Sequence, residues 1–497
     1  MKRPTKFALE LTFAVSAVVG LVLLSTGQLS AQQGDNAVYQ TSTALAASPA
    51  FIDVTALKNG DICNTINSIL TGPTYPATGA VIDARGFLPS GSNGFSGPQS
   101  CGSNPFSSVN KPSTVLLPAS TLLLAVPWIL PKNTRVVGEG PNTVLRACST
   151  TGQQPCSSNF GGSDMIDMGS SSFCTSACSG ISVEHLTLDG NGQNGIVVNG
   201  IVNQYAQEAS FVNDVGMTNV LSTGISVVGP NANVPGATGS GPYSNISYGC
   251  PLSPFCPNSP SPVCVNITAT TLGLHGITCV ANSSPKQAQP AAAILLDANN
   301  NSIEDVHIEG FYDGVLIGSQ GSAQGNVLIN IYGGFGNGPL TNTVHVCKAS
   351  TSTTNCPIHS GSVTDLVLLQ IESVGDDGKN PPFYAASILD DLSATEPTNY
   401  IRANAYVGMY VIGNNNGETA EYSRFTTSPG TNFYNPNSLI GVPTWAIGSA
   451  NNIHGTACNT SGSGTTPGTV YSSTNGVKGS NNTLFVCKGG IWQAVSM

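Results

Sequence analysis

The feature that most constrains this chain is an internal repeat. The stretches VEHLTLDG (residues 183–190) and IEDVHIEG (residues 303–310) match Val183 with Ile303, Leu186 with Val306, Leu188 with Ile308 and a closing Gly190 with Gly310. In a strand, successive side chains leave by opposite faces, so each copy sends its apolar residues one way and, in the second copy, Asp305, His307 and Glu309 the other. Weaker copies start at Val212, Cys264, Asn326 and Val363, giving six units spaced by 29, 52, 39, 23 and 37 residues. A second piece follows most copies: NGIVVNG from Asn194, TGISVVG from Thr223, HGITCVAN from His275, DGVLIG from Asp313 and VGMYVIG from Val407. Each offers a glycine for a sharp turn and then alternates back into a core.

Short strands, tight bends and no helical period between them leave few architectures. Stacking each unit on the last, strands about 4.8 Å apart, buries continuous ladders of Val, Ile and Leu around one shared interior. The predicted fold is therefore all-β: a right-handed parallel β-helix solenoid over residues 111–430, with the 23-residue spacing close to one bare coil. Ahead of it, in an N-terminal cap region over residues 32–110, NGDICNTINSIL makes Asp61 the N-cap of a short amphipathic helix presenting Ile62, Ile66, Ile69 and Leu70. Such a helix would cover the open end of the first coil, whose strand edges would otherwise invite association. TVLLPASTLLL (residues 114–124) and NTRVVGEGPNTVLRA (residues 133–147) read as the first strands.

TVLLPAST, NTRVVGEGPNTVL and ISVEHLTLDGNG resemble the opening coils of the pectate-lyase-like superfamily of parallel β-helix proteins, over roughly residues 55–420. The resemblance implies the fold and a polysaccharide or cell-surface glycan as partner. It leaves the chemistry open, because that superfamily holds polysaccharide lyases, glycoside hydrolases and tailspike-type proteins. Its polygalacturonase-type hydrolases use NTD, DD, GHG and RIK segments in that order. Here His275 and Gly276 precede Asp376 and Asp377, and NTD and RIK are missing, so the Asp pair reads as a turn. Lyase chemistry there needs a base, often arginine, and calcium; this chain has no arginine between Arg146 and Arg402.

Charged residues are 8% of the chain, against about 25% in ordinary domains. Lys2, Arg3 and Lys6, an apolar run over residues 11–24 and a cut after Ala31 make residues 1–31 a predicted signal peptide. The run is shorter than the roughly 20 residues that span a bilayer, so no stable membrane insertion is expected. Removing the leader takes away three basic residues and Glu10, moving the formal charge from −10 to −12. A secreted or periplasmic protein with so acidic a surface excludes nucleic acid and favours neutral over anionic sugars.

The fourteen cysteines, an even count in an exported chain, point to disulfides rather than metal or thiol chemistry. Neighbour pairing gives Cys63–Cys101, Cys148–Cys156, Cys174–Cys178, Cys250–Cys256, Cys264–Cys279, Cys347–Cys356 and Cys458–Cys487. The last pair would staple a small C-terminal β module over residues 451–497, after a linker at residues 431–450. There TLFVCKGGIWQAV reads as two strands around a Gly-Gly turn, similar to the Cys and Trp modules at the tips of some bacterial surface proteins. No cofactor is predicted, with calcium held by Asp and Glu carboxylates as the ion such a surface could bind.

Aligning the copies places His185, Asp214, Asn266, Asp305, Leu328 and Asp365 in one outward column and Asp189, Thr218, Thr270, Glu309, Tyr332 and Leu369 in another. On a straight strand Asp305 and Glu309 stand about 13 Å apart, outside both the retaining and the inverting separations of about 5 and 6.5–9.5 Å. Asp305 and Asp365, two coils apart, fall near 10 Å, marginal for an inverting pair with water between. The catalytic candidates are thus Asp305, Glu309 and Asp365, with His307 as a proton relay. Phe311, Tyr312, Tyr332 and Trp492 are the candidates for stacking on sugar rings. These residues suit a glycoside hydrolase of neutral sugars or, with calcium, a polysaccharide lyase. The alternative is a non-catalytic adhesive or carbohydrate-binding surface protein in which the β-helix is a stalk and the polar residues merely solvate a strand.

Overall fold

The computed structural model describes residues 50–54, 61–87, 98–152, 156–250, 262–281, 292–334, 342–347, 356–357, 363–364 and 366–374, and thereafter the backbone of short strands between residues 386 and 495. The signal-peptide reading, Asp365, Asp376 and Asp377, the pair Cys250–Cys256 and the staple Cys458–Cys487 lie outside the described residues or side chains. Among the described residues no helix is long and apolar enough to cross a membrane.

A sixteen-stranded and a ten-stranded sheet carry the chain, and every pairing between their strands is parallel. From Ser182 onwards each coil gives one long strand to the first sheet and one short strand to the second. The long strands are Ser182–Asp189, Phe211–Thr218, Tyr243–Cys250, Gly273–Ala281, Ser302–Glu309, Val327–Gly334 and Val367–Val374. The short ones are Asn199–Asn203, Thr223–Val227, Val263–Ile267, Ala292–Leu296, Asp313–Ile317, Asn342–Val346 and Ala386–Asp390. This is a parallel β-helix, and its interior is the predicted ladder. Val183, Val212, Tyr243, Leu274, Ile303 and Leu328 stack coil on coil with almost no exposure. Burying each such side chain stabilises by about 1.5–3 kcal/mol, offset by the entropy of ordering the coil.

Several copies in the sequence alignment are misplaced: VGMYVIG falls in the first sheet, where Tyr410–Ile412 pairs with Val367–Val374, and the copy from Asn326 starts two residues early, since Leu328 stacks on Ile303. The stretch from Cys264 lies in the second sheet, and HGITCVAN is the body of a first-sheet strand, Gly273–Ala281. The coil at Tyr243–Cys250 escapes a search for aliphatic alternation because Tyr243 and Tyr248 fill its core positions. Both phenols bury without loss: Tyr248 donates to the Val220 carbonyl, and Tyr243 accepts from Asn203 Nδ2 and lies 2.8 Å from Ser240 Oγ.

The long strands are not straight. Between Glu184 and Leu186 the ladder skips His185, and the same skip recurs at Asp214, Asn245, Gly276, Asp305 and Asn330. All six sit in the left-handed region, with φ from 53° to 67°. The lead-in coils show what the bend joins: Thr134–Val137 pairs with the first half of Ser182–Asp189, and a separate strand, Val144–Ala147, pairs with the second half. Asn, Asp and Gly fill most of these corners because they enter the left-handed region at least cost.

The cap helix is Ile62–Leu70. Asp61 Oδ1 accepts from the Asn64 amide at 2.9 Å, and Ile62, Ile66 and Leu70 are buried as expected. Of the predicted disulfides, Cys63–Cys101, Cys148–Cys156, Cys174–Cys178, Cys264–Cys279 and Cys347–Cys356 are formed. Cys264–Cys279 ties the second sheet to the first through the fully buried interior. Near the C-terminus Thr483–Lys488 and Ile491–Val495 pair antiparallel, as the hairpin reading requires. Trp445–Ala446 pairs with Val470–Tyr471, so strand structure begins inside the stretch expected to be a linker.

Candidate functional site

The outer face of the long strands carries four columns. Glu184, Asn213, Ser244, His275 and Glu304 form one, and the left-handed corners form the next. Thr187, Gly216, Ser247, Thr278, His307 and Tyr332 form the third, and Asp189, Thr218, Gly249, Val280, Glu309 and Gly334 the last. Along the third column small hydroxyl residues and a glycine give way to two rings. His307 and Tyr332 stack with centroids 4.7 Å apart and planes 22° from parallel. In register His307 stands between Thr278 and Tyr332, with one ring face on the tyrosine.

His307 also holds the acid beside it. Its Nε2–H donates to Glu309 Oε1 at 2.8 Å, with both side chains partly exposed. The strand alternation that buries Val306 and Ile308 turns this pair outward. Gly334 occupies the coil position next to Glu309, and a Cβ there would approach Tyr332 Cε1 to 3.2 Å and Glu309 Cγ to 3.4 Å. The glycine lets the acid and the phenol ring crowd together.

Asp305 belongs elsewhere. The bend at φ 55° takes it off the straight run that put it in line with His307 and Glu309. It accepts from Asn330 Nδ2 at 2.7 Å and lies 3.3 Å from His275 Nδ1, each on an adjacent coil. Its column neighbours are Gly276 and Asn330, so Asn266, in the second sheet, and Leu328, in the core, do not share its column. Asp365 lies outside the described residues; in the next coil the position stacked on Asn330 is Gln370. The same corner column sets His185 Nδ1–H on Asp214 Oδ2 at 2.7 Å.

Two other acids of this face meet arginine. Arg135 grips Glu184 through two guanidinium nitrogens, and Arg146 Nε donates to Asp189 at 2.7 Å. Of the aromatic candidates, Tyr332 joins the site and Tyr312 is half-buried. Phe311 is fully buried and fills a coil corner, so it offers no face to a sugar. The Trp492 side chain lies outside what is described. Glu372, which the sequence reading passed over, sits on the coil next to Tyr332 in the third column. Among the described residues the group of three ligating side chains close enough to share a cation is His345, from the second sheet, with Cys347 and Cys356, not the acids of this face.

No family profile and no curated protein matches this sequence. Among solved structures, the tailspike of Escherichia coli bacteriophage HK620 in complex with a pentasaccharide is 13% identical, with 76% of this chain and 64% of that one covered and a TM-score of 0.41. The present chain thus spans less than two thirds of that protein. A polygalacturonase from Erwinia carotovora is 10% identical over 66% of this chain and 96% of that one, with a TM-score of 0.35. A surface protein and adhesin of Streptococcus pneumoniae is 12% identical over 63% and 91%, with a TM-score of 0.34. Likenesses this distant add nothing to the reading of the site. The strand pairing itself makes the chain a parallel β-helix protein.

Proposed function

We propose that this is an exported protein that binds a neutral polysaccharide along the outer face of its long strands, at His307, Glu309 and Tyr332. The observation that carries this reading is the stacked His307–Tyr332 pair at the end of a floor of Thr187, Gly216, Ser247 and Thr278, with Glu309 hydrogen-bonded alongside. Flat rings receive the apolar C–H face of a sugar, while carboxylate and hydroxyl groups receive its hydroxyls. With Glu184 and Asp189 engaged by arginine, the face offers few free cations for an anionic polymer. The disulfides fit an oxidising compartment.

Hydrolysis at the same site is a second reading, favoured by the register of Glu372. From Glu309 it lies two coils and two residues away, which places the Cα atoms about 12 Å apart. A Cα separation of that size is compatible with an inverting pair, whose carboxyl groups stand about 6.5–9.5 Å apart.

Affinity electrophoresis against a panel of neutral and acidic polysaccharides, followed by reducing-end assays, tests both readings. Retardation by a neutral polymer, weakened at least tenfold by Tyr332→Ala, is the expected result. Retardation that is unchanged in Tyr332→Ala and in Glu309→Gln would overturn the site. Reducing ends released by the wild type and abolished by Glu309→Gln or Glu372→Gln would establish the hydrolase.

A further inference from the structure

The second sheet buries a charged cluster that the outer-face site does not use. Asp313 and His345 come from neighbouring strands, Asp313 opposite Asn342 and Leu316 opposite His345. Asp313, His345, Cys347 and Cys356 are each at most 1% exposed. Asn342 Nδ2 donates to Asp313 Oδ1 at 2.6 Å, and His345 Nδ1–H donates to Asp313 Oδ2 at 2.9 Å. The second ring nitrogen, Nε2, is therefore the one turned to sulfur, 3.4 Å from Cys356 Sγ. A disulfide staple gains nothing from a buried histidine and carboxylate, whose desolvation costs several kcal/mol. A metal site uses both.

We propose that, once the Cys347–Cys356 bond is reduced, His345 Nε2, Cys347 Sγ and Cys356 Sγ bind a thiophilic divalent cation of the zinc type. Their ligating atoms already lie within 4.8 Å of one another. Metal–sulfur and metal–nitrogen bonds of about 2.3 and 2.1 Å at a tetrahedral centre put N and S about 3.6 Å apart, close to the 3.4 Å present between His345 and Cys356. The two sulfurs must separate, by under about 2 Å. Asp313 holds the tautomer that leaves Nε2 as the donor, the outer carboxylate found behind metal-bound histidines.

The chemistry balances. A dithiol reductant supplies two electrons and two protons, becoming a disulfide itself, and converts Cys347–Cys356 into two thiols. The divalent cation then displaces both thiol protons to water, and two thiolates neutralise its charge. Cys347 and Cys356 stay cross-linked in either state, through their own bond or through the ion.

The test is cobalt(II) titration of the full chain after reduction with a phosphine, which competes poorly for the metal, compared with the oxidised chain. One cobalt per reduced chain is expected, with thiolate-to-metal charge transfer in the near ultraviolet and the visible bands of a tetrahedral ion. Those bands vanish in Cys347→Ser and Cys356→Ser, and the affinity falls at least tenfold in His345→Ala and 10–100-fold in Asp313→Asn. Cobalt bound equally well by the double variant Cys347→Ser/Cys356→Ser overturns the proposal. As a second measurement, chain made in a reducing, zinc-supplemented host is assayed for zinc in its folded fraction. Zinc at one per chain in the wild type and absent from the double variant supports the site; a reduced chain that folds without zinc refutes it.

Discussion

Asp305 distinguishes a residue kept for its backbone from one kept for its chemistry. It stands at a left-handed corner with φ 55°, half exposed, and its carboxylate accepts from Asn330 on the next coil. Holding alanine in that region costs about 1–2 kcal/mol, and losing an exposed hydrogen bond adds about 0.5 kcal/mol. Asp305→Ala should therefore lower unfolding stability by about 2 kcal/mol. Asp305→Gly keeps the conformation at ease but loses the bond and frees the unfolded chain, for about 1 kcal/mol. Asp305→Asn, a residue at home in this region, should cost close to nothing. Urea unfolding followed by circular dichroism gives the midpoints, in the expected order Asn, Gly, Ala. An alanine variant as stable as asparagine would refute the corner argument, and a wild-type affinity for glycan in Asp305→Asn would place Asp305 outside the binding groups.

Further outcomes follow from other parts of the chain. Burial and the neighbouring charge of Asp164 push the Asp167 carboxyl up to about 7. Its folded value lies above the unfolded one, so the folded state binds more protons between these values and stability falls as pH rises from about 4 to 7. The full difference is worth at most about 4 kcal/mol, and water reaching a partly covered group brings it nearer 1–2 kcal/mol. Asp167→Asn should flatten that slope in thermal melts across this range; an unchanged slope contradicts the assignment. Replacing both Cys264 and Cys279 by alanine opens a loop with a sequence separation of 15 and should cost about 3 kcal/mol, read as a lower urea midpoint. A midpoint equal to the wild type would show that the two sheets need no tie through the core.

Much of this architecture was legible in residue pattern alone, and the misses have a common cause. Val306 and Ile308 point inward and His307 and Glu309 outward as alternation demands. The alternation does not announce the corner at Asp305, because a left-handed residue consumes a position without consuming a face. Yet a signal was present. Glu-His-Leu, Asn-Asp-Val, Ser-Asn-Ile, His-Gly-Ile, Glu-Asp-Val and Ile-Asn-Ile recur at the start of successive long strands, each with a corner residue before an inward aliphatic. Aligning on that triplet recovers the coil at Tyr243 and displaces Cys264 to the second sheet. The His307–Tyr332 contact needed the register between coils, since the two residues are neighbours only after stacking. The Asp313–His345–Cys356 cluster joins residues whose roles depend on which coil covers which, and local spacing conveys nothing of that.

The most direct test of the account is hydrogen exchange of the intact chain with and without the polysaccharide retarded most strongly in electrophoresis. Slower exchange confined to Ser302–Glu309, Val327–Gly334 and the adjoining coil at Gly273–Ala281 is the predicted result. Protection found instead in Thr483–Lys488 and Ile491–Val495, with these three strands unchanged, would move the contact to the C-terminal strands and contradict the site.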